Sequence, residues 1–261
     1  AKNSTIIDHA DVRRMLMTMK SYSDAMRYMM YDSQMMLDLS YFAEDELKDF
    51  GEERCGLLTP IGKSWISDLS VELTSTAIQV YGGMGYVEET GIAQYFRDAR
   101  IAPIYAGTNG IQALDLLFRK IPLDGGKAIS KLFSEMESTV SEVEKLENFD
   151  HLSKTLKFHI KELKNVTESI TGLLIDGDLA NASGSATPFL KMFGQVLGGH
   201  YMGKALVKAH EKFTESNDEF YKDKITLSKF YLEQLLPLAS GYIDAIKSGN
   251  EDLFKIKSNN F

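Results

Sequence analysis

Apolar residues recur three and four positions apart along nearly the whole chain, and period-two alternation is hard to find anywhere. That pattern commits the sequence to helices packed through apolar stripes, an all-α fold. From Asp11 to about Tyr41, residues Val12, Met15, Leu16, Met19, Tyr22, Met26, Met29 and Met30 share one face of a long helix. Eight of the 12 methionines fall between Met15 and Met36, so the stripe reads either as adaptable core or as a pliable ligand or partner surface. Thr59-Pro60 reads as an N-cap followed by proline at the first helical position, and it predicts a helix carrying Ile61, Trp65, Leu69, Leu73 and Ala77 to about Val80. Gly82-Gly83 stops that helix. Ile92, Tyr95, Phe96 and Ala99 mark a short one ended by Pro103, and Thr108 or Asn109 caps the next, with Ile111, Leu114, Leu117, Phe118 and Ile121 on its buried face.

Pro122-Leu123-Asp124-Gly125-Gly126 opposes continuation of a helix and is the best linker in the chain, which sets two domains, 1–121 and 127–261. The second carries helical patterns at roughly 127–147 and 151–174, a polar loop from Asp176 to Ser185, a helix opened by Thr187-Pro188 and a last one at roughly 217–247. Four helices joined by short or polar loops predict an up-and-down bundle.

Several functions are excluded early. The net charge of −8 is spread along the chain, so no nucleic-acid partner is expected. No apolar run is long enough for a membrane span or resembles an export signal, and the lone Cys55 suits a reducing compartment, so the expected location is cytoplasmic. The chain starts at Ala1 almost directly in a helical pattern, as a trimmed or excised segment would. None of the five histidines (His9, His151, His159, His200, His210) follows an acidic residue by three, so no di-iron bundle site is expected, and they read as surface or boundary residues. Neither a phosphate-loop motif nor a zinc motif is present, and no metal is expected.

The segment 79–108 differs from its surroundings in mixing Gly82, Gly83, Gly85, Gly91 and Gly107 with aromatic residues. Gly83-Met84-Gly85 is not a dinucleotide fingerprint, because Glu88 stands at the third glycine position and a helix precedes it. Two readings remain: a glycine turn whose bare backbone admits a bulky or anionic group, and a plain helix C-cap with a tight turn.

Three consecutive blocks, Gln79-Val80-Tyr81-Gly82-Gly83-Met84-Gly85-Tyr86, Tyr95-Phe96-Arg97-Asp98-Ala99-Arg100-Ile101 and Ile104-Tyr105-Ala106-Gly107-Thr108-Asn109-Gly110-Ile111-Gln112, closely resemble the C-terminal signature of acyl-CoA dehydrogenases. The opening Ile7-Asp8-His9-Ala10-Asp11-Val12-Arg13-Arg14-Met15-Leu16 and Leu58-Thr59-Pro60-Ile61-Gly62-Lys63 resemble the longer, methylthiopropanoyl-CoA dehydrogenase-like members, which add a C-terminal helical domain. The resemblance implies FAD as cofactor, an acyl-CoA substrate dehydrogenated across its α,β bond, electron-transfer flavoprotein as acceptor and a homo-oligomer. It implies that Gln79, Gly82 and Gly83 approach the adenosine diphosphate part of FAD bound by a neighbouring subunit, that Thr108, Asn109 and Gly110 lie close to flavin nucleotide, and that Arg97, Asp98 and Arg100 form a structural charge cluster.

Two departures accompany the match. Relatives most often carry Tyr-Glu-Gly-Thr where this chain has Tyr105-Ala106-Gly107-Thr108, so that position holds a methyl group and no catalytic residue is assigned; some members carry the base on an earlier helix instead, which would lie upstream of Ala1. The family's upstream domains are also absent, as is the first helix of its C-terminal bundle, which predicts a bundle of residues 11–121 with one wall open. Two functions follow as expectations: the C-terminal part of a flavin-dependent acyl-CoA dehydrogenase, inactive as given, or a non-catalytic assembly module derived from that family.

Overall fold

The computed structural model describes residues 5–261, and among them every regular element is helical. A 3₁₀ turn, Ile6–Asp8, leads into α1 (Ala10–Phe42), whose buried positions Tyr22, Ala25, Met29 and Met36 follow the expected helical spacing. The methionine stripe divides: Met29 and Met36 are core, Met26 is half-buried, and Met30 and Met35 are exposed. At residues 43–44 the chain reverses into α2 (Asp45–Ile61), and the two helices cross where Gly51 lets the backbones meet. A Cβ on Gly51 would stand 2.6 Å from the Met36 carbonyl oxygen.

Thr59-Pro60 opens no helix here. It lies inside a nearly continuous rod formed by α2, a π turn (Gly62–Ile66) and α3 (Ser67–Tyr81). The Thr59 hydroxyl donates to the Cys55 carbonyl at 2.7 Å instead of capping, and the backbone widens into the π turn just past the proline. Beyond α3 come α4 (Gly83–Tyr86), a 3₁₀ turn (Glu88–Thr90), α5 (Ile92–Tyr105), which runs two residues past Pro103, and α6 (Asn109–Asp115) with Thr108 at its N-cap, extended by a second π turn (Leu116–Lys120).

In the linker, Gly125 and Gly126 take φ of +71° and +82°, and Asp124 accepts the amides of Lys127 and Ala128 at 2.9 and 2.7 Å. That carboxylate caps α7 (Lys127–Glu144), which packs on α8 (Asp150–Ile175). The next helix, α9 (Leu179–Ser216), begins well before Thr187-Pro188, and the loop expected over 176–185 shrinks to residues 176–178. The small residues there serve packing: a Cβ on Gly184 would collide with the Gly249 carbonyl, and the Ser185 hydroxyl donates to the Ile246 carbonyl at 2.6 Å. The pattern at 217–247 resolves into α10 (Glu219–Phe230), a third π turn (Tyr231–Leu235), a 3₁₀ stretch (Leu236–Tyr242) and α11 (Ile243–Ser248).

Between Phe189 and Tyr201 every α9 residue except Lys191 is buried, which places this helix on the axis of the molecule. The other helices pack around it from both sides of the linker. Trp65 lies directly on Gly194, where a Cβ would stand 2.6 Å from the Trp65 Cβ, and Tyr231 lies on Gly198. Tyr22 meets both rings edge-on, with centroids 6.2 Å from Trp65 and 5.6 Å from Tyr231, and burial pushes its hydroxyl up to about 12. Arg54, itself buried, grips Glu135 with two nitrogens at 2.9 and 2.6 Å, and the Tyr201 hydroxyl donates to Asp32 at 2.6 Å. One apolar core therefore runs across residues 122–126.

Two histidines correct the sequence reading. His159 and His200 are buried, each 3% exposed. Burial lowers both pKa values, that of His200 to about 3 with help from the charges of Lys204 and Arg54, and Nδ1 of His200 lies 3.1 Å from the Thr139 hydroxyl. No helix of the described residues is long and apolar enough to cross a membrane, and no cluster of metal-ligating side chains occurs among them.

Candidate functional site

The sequence-predicted site residues fall into two groups at opposite ends of α3. Gln79, Gly82 and Gly83 close its C-terminal end, whereas Asn109 is bonded to Ser64, Ser67 and Asp68 at its N-terminal end. Fifteen residues of helix separate the ends by about 22 Å, so the structure does not bring the two groups together. They are two separate places, not one pocket.

At the first place, each glycine has a different reason to be there. Gly82 has φ +61° and ψ −146°, a region open to glycine alone, and it turns the chain from α3 into α4. Gly85 is buried, and a Cβ on it would collide with the Ile78 carbonyl. Gly83 is different: its φ is not positive and a Cβ on it would meet nothing within 4 Å. Neither its own backbone nor its neighbours require a glycine. Gln79 is exposed beside this turn.

The second place is the turn from Tyr105 to Gly110. Ala106, at φ −102° and ψ +41°, ends α5, and Gly107 follows at φ +77°. Asn109 turns its amide inward, donating to Asp68 Oδ1 at 2.6 Å, the Ser67 hydroxyl at 3.1 Å and the Ser64 carbonyl at 3.2 Å. Gly110 repeats the pattern of Gly83: its φ is ordinary, and a Cβ on it would meet only the Thr108 hydroxyl, at 4.0 Å. Thr108 is exposed and makes no side-chain cap bond to α6.

Ala106 stands at a cleft of about 380 Å³. Its walls come from Met30 and Ser33 of α1, Leu58 to Ser70 along the α2–α3 rod, and Ala102 to Asn109. Lys63 and Tyr105 are its ionisable lining groups, and no carboxylate lines it. Arg97 pairs with Glu88 at 2.8 Å, both side chains exposed, and neither Asp98 nor Arg100 takes part in that pair.

Sequence reasoning missed the exposure of this whole region. From Thr74 to Gln112 only Gly85 is buried, although the stretch carries Tyr81, Met84, Tyr86, Tyr95, Ile101, Ile104, Tyr105 and Ile111 as exposed apolar side chains. Helical periodicity marked Tyr95 and Ile111 as parts of apolar helix faces, and it holds no sign of whether the covering surface belongs to the same chain.

Residues 1–120 match the family model described as acyl-CoA dehydrogenase, C-terminal domain, and residues 132–257 match the one described as acetyl-CoA dehydrogenase C-terminal like. The chain is 32% identical over 235 residues to 3-methylmercaptopropionyl-CoA dehydrogenase of Ruegeria pomeroyi, covering 88% of this chain and 40% of that protein. It is 29% identical over 260 residues to a butyryl-CoA dehydrogenase of Syntrophomonas wolfei, covering 94% and 41%. The crystal structure of an acyl-CoA dehydrogenase from Bacillus anthracis complexed with FAD shares the fold with a TM-score of 0.69 at 16% identity, over 95% of this chain and 44% of that one. Caenorhabditis elegans ACDH-11, in complex with C11-CoA, does so with a TM-score of 0.65 at 20% identity, over 94% and 40%. The chain belongs to the acyl-CoA dehydrogenase family as its C-terminal helical part, and it spans about 40% of the length of the curated relatives it matches.

Proposed function

We propose that this chain is the helical half of an FAD-dependent acyl-CoA dehydrogenase, completing flavin sites that are shared between subunits and between domains. The observation that carries this reading is the pair Gly83 and Gly110, two exposed glycines that their own fold does not require. Their bare backbones fit the close approach of a large anionic group. Gln79, Gly82 and Gly83 would hold the adenosine diphosphate part of FAD bound by a neighbouring subunit, while Thr108 and Gly110 present backbone near flavin nucleotide. When bound, FAD supplies a hydride acceptor for the β-carbon of an acyl-CoA, with electron-transfer flavoprotein as the onward acceptor.

Removal of the α-proton needs a base, and the Ala106 methyl cannot accept one. A missing positioned base costs roughly 10²–10⁴-fold in rate. The cleft at Ala106 is lined by Lys63 and Tyr105 and, among the described residues, by no carboxylate that could substitute. The exposed apolar stretch 74–112 fits association with the family's upstream domains and with a second copy, as a homo-oligomer. The same absence of a carboxylate supports a second reading, a non-catalytic assembly module of this lineage.

The purified chain is expected to turn over no saturated acyl-CoA with a dye acceptor, and turnover would refute the assignment. In a protein that includes the upstream domains, Ala106→Glu is expected to raise turnover by at least about a hundredfold if catalysis was lost at this position. No gain would favour the assembly module.

A further inference from the structure

We propose that Asn109 is a positioning residue, through which the second half of the chain holds the 105–108 turn in place by way of Lys191 and Asp68. The inference deepens the dehydrogenase reading and rests on it, because that reading makes this turn the place where relatives carry their base.

All four residues of the turn are exposed, so apolar burial does not fix it. Its backbone has already left the helix at Ala106 and passes through φ +77° at Gly107. What holds it is two side-chain amides. Gln112 donates to the Ala106 carbonyl at 3.1 Å, and Asn109 donates to Asp68 at 2.6 Å, with Ser67 and Ser64 as further acceptors at 3.1 and 3.2 Å. The bond to Asp68 is charge-assisted and the shortest of the set.

Asp68 in turn faces the second half. Its other oxygen, Oδ2, lies 3.8 Å from Nζ of Lys191, the one residue not buried among those from Phe189 to Tyr201 on the axial helix α9. The same lysine eases the charge of Glu72, whose pKa burial raises and Lys191 lowers. Contacts therefore run unbroken from α9 to Lys191, to Asp68 on α3, to Asn109 and the turn. With its amide engaged inward, the Asn109 side chain contributes order to the site, while flavin contact falls to Thr108 and the Gly110 backbone.

The test is amide hydrogen exchange on the 261-residue chain, which needs no flavin and so is separable from the dehydrogenase reading. Asn109→Ala is expected to speed exchange across residues 105–112 by about tenfold or more, leaving the α9 core amides at their original rates. Asp68→Asn keeps an oxygen for the Asn109 amide but loses the charge that Lys191 faces, and is expected to give only the small acceleration of the Lys191 variant, whereas Asp68→Ala loses protection of the turn. Lys191→Met is expected to give a smaller acceleration confined to the turn. Unchanged exchange at 105–112 in Asn109→Ala overturns the proposal, as does acceleration by the same factor in the α9 core, the mark of a merely structural role. Should Asn109→Ala fail to fold, equal protection in Asp68→Asn and Asp68→Ala overturns it equally.

Discussion

Gly198→Ala puts a methyl group where the axial helix α9 meets both Tyr231 and, from the other side of the linker, Trp65. The added Cβ would collide with the Tyr231 hydroxyl and stand 2.9 Å from the Trp65 indole and 3.0 Å from the Tyr231 ring carbon Cζ. Neither ring has room to retreat, since both are buried and Tyr22 wedges between them. Overpacking of a buried site costs about 1–3 kcal/mol. Displacing Tyr231 also breaks the 2.9 Å bond it donates to the Gln195 carbonyl and leaves its buried hydroxyl without an acceptor, a further ~1–3 kcal/mol. A loss of about 3 kcal/mol lowers the Tm of a chain this size by roughly 6–12 °C. The assay is urea unfolding followed by fluorescence of Trp65, the one tryptophan, which reports the first half, and by circular dichroism, which reports all helices. Both signals are expected to move together to lower urea in the variant, although Gly198 and Trp65 lie on opposite sides of the linker. A Trp65 transition left in place while the circular dichroism splits in two would refute the single shared core.

Self-association is expected at micromolar concentration, and Tyr95→Lys with Ile101→Lys is expected to weaken it in sedimentation while leaving Tm unchanged, because both side chains are exposed on α5; a chain that stays monomeric would contradict this. Met26→Lys with Met30→Lys separates the roles of the methionine stripe: Met30 is exposed and Met26 half-buried, so these changes should weaken association if the stripe is an interface and unfold the chain if it is core. His200 is neutral when folded, with a pKa of about 3, and protonates in the unfolded chain near its ordinary 6.5. The unfolded state therefore binds more protons between these values, and stability falls as pH drops from about 6.5 toward 3. His200→Gln is expected to flatten that dependence in urea titrations at about pH 7 and about pH 4.5, and an unaltered slope would show that other groups dominate.

The helical class and most helix faces were legible in the sequence because periodicity reports burial directly. Helix ends were less so. Thr59-Pro60 and Thr187-Pro188 look like starts, yet both lie inside helices, where π widening or tertiary packing overrides the local signal. Gly184 and Ser185 look like loop residues because close packing against Gly249 and Ile246 demands the same small side chains. At the candidate site, the glycines were readable as matches to a family pattern and Ala106 as a departure from it. The separation of the two groups along α3 and the inward turn of Asn109 were not, since both depend on contacts across some forty residues of chain. His159 and His200 misled for a related reason: nothing local distinguishes a histidine buried by a distant helix from one facing water.

The most direct test of the central claim is flavin content in a protein that joins the family's upstream domains to this chain, compared with its Gly83→Leu variant. Gly83 is exposed and a Cβ on it would meet nothing within 4 Å, so the isolated 261-residue variant should keep its Tm. The parent is expected to purify yellow with about one FAD per subunit, and Gly83→Leu is expected to lose most of it, because the side chain occupies the space of a neighbouring subunit's FAD. Full flavin retention in the variant, or a colourless parent, would contradict the account.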